Sequence, residues 1–223
     1  MSSMTETLAK RAVDRSAAER QGEYAREMRR IVEATYDHIE QSGSLEPSLR
    51  DILRNCGLST QGFYRYFRSK DELMLVLLDD GRRRLVDYLV ERMAATGTPA
   101  AKVRAWIEGV LAQASHARSA ARTRPFAANE DRLAELFPDE QRESVELLVG
   151  LLVPPLTEGS GSAALAAGAH DDAEAIYRLV FGVLRGHLIL RTRPAASEVE
   201  HLVRFCLQGA GISGPDGNGA AGS

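Results

Sequence analysis

Apolar residues recur at three- and four-residue steps along almost the whole chain, the spacing of one face of an α-helix. Between residues 24 and 39 the set is Tyr24, Met28, Ile31, Val32, Thr35, Tyr36 and Ile39. Glu23, Arg26, Glu27, Arg30, Glu33, Asp37 and Glu40 fill the other side, so the pattern predicts an amphipathic helix ending near Gly43. Pro47-Ser48 then opens a helix of about two turns through Leu49, Ile52 and Leu53, stopped by Asn55-Cys56-Gly57. Ser59 caps a second short helix through Thr60, Gln61, Gly62, Phe63, Tyr64 and Tyr66, closing at Phe67. Ser69-Lys70-Asp71-Glu72 has the form of a capping box, and the long helix it opens carries Leu73, Val76, Leu77, Leu85, Leu89 and Met93 as far as Thr96-Gly97.

Thr98-Pro99 starts the next helix, through Val103, Trp106, Ile107, Val110 and Leu111. Pro125 and Pro138 punctuate the stretch beyond it, Pro138 at the first turn of a helix through Val145, Leu148 and Leu152 that halts at Pro154-Pro155. Residues 157–170 are poor in bulky side chains and predict a mobile loop, ended by the cap-like His170-Asp171-Asp172. Residues 175–190 hold only Arg178 and Arg185 as formal charges, which predicts a helix buried on several sides. A second S-x-x-E, Ser197 to Glu200, opens a last helix with Val199, Leu202, Val203 and Cys206 on one stripe. With no alternating strand pattern and no repeat, the fold class is all-α, with about nine helices.

Composition narrows the function. With 44% apolar and 26% charged residues in 223, the chain has material for a core and is not disordered throughout. It has no run of about 18 apolar residues and no apolar leader at the N-terminus, so a cytoplasmic protein without a membrane partner is expected. Cys56 and Cys206 stand in no metal or redox spacing, and neither a metal nor a cofactor is implied. The formal charge of −3 hides an asymmetry: residues 50–70 hold Arg50, Arg54, Arg65, Arg68 and Lys70 against Asp51 alone, a local +4 that leaves −7 elsewhere. Such an island holds phosphates while the acidic remainder discourages indiscriminate binding.

The island coincides with two short helices joined at Gly57, the second sized to enter a major groove: a helix-turn-helix. The run from Leu58 to Leu73, LSTQGFYRYFRSKDEL, with its Phe-Tyr-x-x-Phe-x-x-Lys-x-x-Leu core, resembles the TetR family of bacterial transcriptional regulators. Arg50-Asp51-Ile52, Gly57 and the helix over residues 24–41 fall where that family's second helix, turn and first helix do. Two departures stand out: Leu53 where the family usually has alanine, and Gln61 where it often has the glycine that here comes one place later, as Gly62. The expectation is that Leu53 adds bulk between the two helices and Gly62 makes room for it.

Thr60 and Gln61 head the second helix, where side chains meet base edges, and a glutamine amide pairs bidentately with adenine. Tyr64 and Tyr66 offer hydroxyls to phosphates, Tyr64 being the family's DNA-facing tyrosine by resemblance, while Phe63 and Phe67 pack inward. Lys70 and Ser48 sit at helix starts that favour a phosphate, and Arg50 and the cap Ser59 complete the DNA-binding candidates.

The resemblance implies a homodimer on a palindromic double-stranded operator and a small-molecule effector that releases it. It divides the chain into a flexible N-terminal arm (1–20), a three-helix DNA-binding domain (21–68), a ligand-binding and dimerisation domain (69–208) and a disordered Gly-rich tail (209–223). The effector walls implied are Tyr88, Trp106, His116, Phe126, Phe137, Tyr177 and Phe181, with Asn129, Arg122, Arg124 and Arg185 as polar anchors that suit an anionic effector such as an acyl-coenzyme A thioester. The two last helices supply the dimer interface through Tyr177, Val180, Leu184, Leu188, Leu202 and Phe205, with Gly182 and Gly186 allowing close approach. An enzyme is disfavoured, since His38, His116, His170, His187 and His201 form no metal motif and no phosphate loop is present. A helical adaptor, or an activator using the same fold, are the alternatives.

Overall fold

The computed structural model describes residues 2–42 and 48–212. They form an all-α structure of eleven helical segments, divided into two compact units at Leu73/Met74. Gly43, Pro47 and residues 213–223, which carry predicted helix ends and most of the predicted tail, lie outside the described residues.

The N-terminal unit comprises α1 (Ser2–Ser42), α2 (Leu49–Cys56), α3 (Thr60–Phe63) and the first turn of α4 (Lys70–Ala94). α1 packs on α2 around Ile31, Val32, Tyr36 and Ile39 from the first helix and Ile52, Leu53 and Cys56 from the second, all buried. Buried Thr35 returns its hydroxyl to the Ile31 carbonyl at 2.7 Å, and Asn55 Nδ2 donates to His38 Nδ1 at 2.8 Å, clasping the pair at the surface. Residues 2–20 of the arm expected over 1–20 are helical, since α1 begins at Ser2. Residues 2–20 contain neither Gly nor Pro and are rich in Ala and Arg, so propensity continues a helix where no strong apolar stripe announces one.

The C-terminal unit is built around α5 (Pro99–Ser115), started by Thr98, whose hydroxyl accepts from the Ala101 N–H at 3.2 Å. Val103, Trp106, Ile107 and Val110 of α5 are wholly buried against α6 (Ala117–Leu136), α8 (Val153–Gly159), α10 (Ala169–Leu190) and α11 (Ala196–Gly209). α7 (Pro138–Gly150) and the short α9 (Ala163–Ala167) complete the layer. Trp106 Nε1 donates to the Leu148 carbonyl of α7 at 3.2 Å, so the largest core side chain leaves no polar atom unpaired. At Gly109 a Cβ would lie 2.5 Å from Leu89 Cδ2, so α4 and α5 approach as closely as they do because that position is glycine.

Several expectations for this unit are corrected. Pro125 does not punctuate: it lies buried inside α6. Pro154-Pro155 open α8 instead of merely stopping α7, since a first helical turn needs no N–H from those positions. The mobile loop 157–170 holds the end of α8, all of α9 and the start of α10, so His170 and Asp171-Asp172 belong to the first turn of α10. α11 is capped earlier than expected: its N-cap is Ala195, Ser197 lies within the helix, and Glu198 accepts from the Ala195 N–H at 3.4 Å. Ala210 and Ile212 of the expected tail are buried, Ile212 bridging to Ser160 with 5% exposure. α10 is buried along one face and leaves Leu179, Ile189 and Leu190 exposed on the other, so its uniform hydrophobicity does not mean burial on several sides.

Candidate nucleic-acid interface

Local chemistry shapes the helix-turn-helix. Ser48 caps α2, its Oγ accepting from the Asp51 N–H at 3.1 Å and donating to the Asp51 carboxylate at 2.5 Å. That hydroxyl, ahead of the Arg54 guanidinium 2.6 Å away, draws the Asp51 carboxyl below its ordinary range. α2 ends with Gly57 in the left-handed region (φ 63°, ψ 28°), the Leu58 N–H reaching the Leu53 carbonyl at 3.0 Å and the Gly57 N–H the Arg54 carbonyl at 3.3 Å. This is a Schellman stop, and glycine adopts its backbone without a Cβ penalty. Ser59 then caps α3, accepting from the Gly62 N–H at 3.0 Å.

α3 itself is one turn, prolonged by tight turns through Tyr66 in which the Phe67 N–H bonds the Phe63 carbonyl at 3.0 Å. Phe63 and Phe67 are buried and stacked with ring centroids 5.2 Å apart, as the sequence predicts. Anchored by this pair, Thr60, Gln61, Tyr64, Arg65 and Arg68 all stand exposed, Tyr64 at 55%. Tyr66 is half-buried, its ring tilted on Tyr24 of α1 with centroids 5.1 Å apart. Ser69 accepts from the Glu72 N–H at 3.0 Å at the start of α4, and the Glu72 carboxylate takes the Arg68 N–H, one residue before the N-cap N–H that a full capping box uses. Ser48 and Ser59 are thus engaged as caps, Arg50 is exposed, and Lys70 is half-buried in the first turn of α4.

Gly62 does not compensate for Leu53. The atoms nearest a Cβ at Gly62 are Ser59 Oγ at 3.3 Å and Leu58 Cδ2 at 3.5 Å, and no Leu53 atom is among them. Leu53 is buried with the α2 core instead.

Of the effector candidates, the structure brings three together: Tyr177 stacks on Phe181 at 4.3 Å between centroids, and Phe181 lies 6.3 Å from Trp106. The others are dispersed or already employed. Tyr88 is exposed beneath the Arg92 guanidinium, which donates to its hydroxyl at 3.3 Å. His116 is exposed where α5 meets α6, Phe137 is half-buried where α6 meets α7, Phe126 is buried and Arg122 half-buried. Asn129 donates to the Pro125 carbonyl at 2.8 Å. Arg124 donates to the Leu188 carbonyl at 2.7 Å, and Arg185 to the Ala127 carbonyl and Asp131 at 3.1 Å each, so both clamp α6 to α10.

Sequence reasoning missed Arg82. It is 8% exposed, its Nη1 has no hydrogen-bond partner, and burial pushes its guanidinium below the ordinary arginine value. The Tyr177 hydroxyl is likewise buried without a partner, and burial raises it to about 12. A signal exists in the sequence: Arg82 precedes buried Leu89 and Met93 by seven and eleven residues, the phase of the apolar stripe, whereas Arg83 and Arg84 pair outward with Asp79 and Asp80.

The dimer candidates need revision. Tyr177, Val180, Leu184, Leu188 and Leu202 are buried inside the C-terminal unit, and only Phe205, 58% exposed, faces outward. The outer apolar strip of α10 runs instead through Leu179, Gly182, Gly186, Ile189 and Leu190, with nothing within 4 Å of a Cβ at either glycine. Both faces of α10 are apolar, so its periodicity does not distinguish the inward phase from the outward one.

Among the described residues no helix is long and apolar enough to cross a membrane. Over residues 31–77 the chain matches the family model of bacterial regulatory proteins, tetR family. Its fold is similar to that of Escherichia coli NemR in the reduced form, with TM-score 0.62 and 19% identity over 85% of this chain and 99% of that one. It is also similar to a TetR transcription regulator from Haloarcula marismortui, with TM-score 0.64 and 18% identity over 83% and 97%. A third is the transcriptional regulator FadR from Bacillus subtilis in complex with stearoyl-CoA, with TM-score 0.56 and 16% identity over 82% and 96%. Motif and local geometry converge on residues 31–77, the segment that matches the tetR family of bacterial regulatory proteins, and the fold around it is that of the similar regulators.

Proposed function

We propose that this chain is a cytoplasmic transcriptional repressor that binds a palindromic operator as a homodimer and is released by a small-molecule effector. The observation that carries the reading is the exposed polar edge Thr60, Gln61 and Tyr64, held outward by the buried Phe63 and Phe67. Gln61 reads a base edge, Thr60 and Tyr64 flank it, and Arg50, Arg65, Arg68 and Lys70 neutralise phosphates around it. Ser48 and Ser59 support these contacts by fixing the helix starts, and Tyr66 by bracing Tyr24.

One such module covers too few bases for useful specificity, so two copies are needed on half-sites about 34–36 Å apart. The strip Leu179, Gly182, Gly186, Ile189 and Leu190, with Phe205 of α11, supports pairing of two copies through α10 and α11. Effector release is supported by the stearoyl-CoA complex of the similar Bacillus subtilis regulator and by the unpaired polar atoms buried in the C-terminal unit. Sequencing the duplexes that the purified protein selects from a random DNA pool is the test. Recovery of an inverted repeat is expected. Enrichment of nothing by folded, dimeric protein overturns the reading.

A further inference from the structure

Arg82 of α4 and Tyr177 of α10 are 8% and 7% exposed, and Arg82 Nη1 and the Tyr177 hydroxyl are both without hydrogen-bond partners. Protein interiors rarely leave such groups unpaired, and an unpaired guanidinium is among the costliest to bury. The acids facing Arg82 are Glu130 of α6 and Asp79 of its own helix. Asp79 is held by Arg83 at 2.9 Å, and neither carboxylate closes on Nη1. Among the described residues no acceptor reaches either atom.

Both orphans ask for the same thing. A guanidinium only donates, and a phenol hydroxyl without an acceptor is ready to donate as well. An anionic oxygen satisfies both and offsets the charge of the guanidinium. Arg82 and Tyr177 lie near enough to act on each other electrostatically, with Glu130 near both, and on the Tyr177 side the surroundings are aromatic: Phe181 stacks on Tyr177 at 4.3 Å and approaches Trp106 at 6.3 Å. Phe181 is only half-buried, so this stack leads from the surface to the Tyr177 ring.

We propose that Arg82 and Tyr177 anchor an effector site for a monocarboxylate with an apolar body, its oxygens accepting from Nη1 and the hydroxyl and its body lying along Phe181 and Trp106. The proposal rests on the effector-released reading above and names its ligand class. Two groups that the chain alone does not pair become paired in the complex, which favours the ligand-bound conformation.

The test uses the full-length protein, with decanoate and 4-phenylbutanoate as probes and the primary amide of each as control. Without any probe, Arg82→Met is expected to melt about 2–4 °C above the wild type, because it removes a buried guanidinium with an unpaired Nη1 and keeps the bulk. Each carboxylate is expected to raise the wild-type melting temperature and shift the emission of Trp106, the chain's one tryptophan, with its amide and the Arg82→Met variant showing neither response. Tyr177→Phe, which keeps the ring stack, is expected to bind the carboxylates about tenfold more weakly, and it serves alone should Arg82→Met fail to fold. An Arg82→Met variant that folds but melts lower, equal responses to acid and amide, undiminished binding by both variants, or carboxylates that move neither readout each overturn the site. A carboxylate that binds through Arg82 yet leaves the operator complex intact sinks effector release and keeps the site.

Discussion

The two units of this chain keep the polar groups proposed to function in opposite ways. In the N-terminal unit those groups are exposed, and the serines that position them bond within three residues: Ser48 with Asp51, Ser59 with Gly62, Ser69 with Glu72. In the C-terminal unit Arg82 and Tyr177 are distant in sequence, buried, and have unpaired atoms. A surface reader costs the fold little, because water solvates it until DNA arrives. An interior polar pair weakens its own unit until something fills it.

The strongest way to break this contrast is to remove the anchor of the surface reader. Phe63 is wholly buried and stacks on Phe67, so Phe63→Ala is expected to destabilise the N-terminal unit by about 3–5 kcal/mol. Hydrogen exchange over residues 31–73 should lose its protection and DNA binding should vanish, while Trp106 emission, which reports the C-terminal core, stays native at moderate temperature. Simultaneous loss of both signals would mean that the two units do not hold their stability separately.

The buried hydroxyl of the C-terminal unit makes a pH prediction. Burial raises Tyr177 from the ordinary 10.0 to about 12, so the fold favours its neutral form. Its contribution is intact below pH 10 and is lost as pH rises towards 12, a loss of roughly 3 kcal/mol. Cys206, raised by burial from 9.0 to about 11, adds a loss of the same sign between pH 9 and 11. Urea midpoints followed by Trp106 emission should fall over both ranges, and Tyr177→Phe should flatten the upper one. An unchanged upper limb in that variant would assign the loss elsewhere.

Gln61→Ala sharpens the other side. Gln61 is exposed, so its loss should leave the melting temperature alone while relaxing preference at one operator base by about 1–3 kcal/mol. Competition binding against operators varied at each position gives the answer. A uniform loss across all positions would make Gln61 a backbone contact instead of a reader.

The contrast also explains what is legible in the sequence. Caps, the Gly57 turn and the inward Phe63 and Phe67 follow from residues within one turn of each other, so the reader is visible in the letters. The far helices are less so. α10 carries apolar residues on both faces, and no local signal says which of Val180 and Leu179 faces in; burial of Val180 against α5 decides it. Arg124 and Arg185 look like ligand anchors in the sequence, but their partners on the opposite helix, the Leu188 and Ala127 carbonyls, come near only in the fold. Arg82 lies in phase with the core stripe, yet beside Arg83 and Arg84 it passes for part of a solvated basic run.

The smallest effect concerns the two departures within the reader. If Gly62 made room for Leu53, replacing both would cost less than the sum of the single changes. The structure argues for independence, since a Cβ at Gly62 meets Ser59 Oγ at 3.3 Å and Leu58 Cδ2 at 3.5 Å and no Leu53 atom. Gly62→Ala gains helix propensity of up to about 1 kcal/mol and requires the Ser59 hydroxyl to shift slightly, so its net effect should lie within about 0.5 kcal/mol of zero. Leu53→Ala empties a buried site and should cost about 2–5 kcal/mol. In a double-mutant cycle the two should add to within about 0.5 kcal/mol. A larger coupling energy, with the double variant more stable than the sum predicts, would restore the compensation. Additivity would instead leave the contact with the Ser59 hydroxyl as the local cost of a methyl at residue 62, testable in turn by whether Ser59→Ala makes Gly62→Ala more favourable.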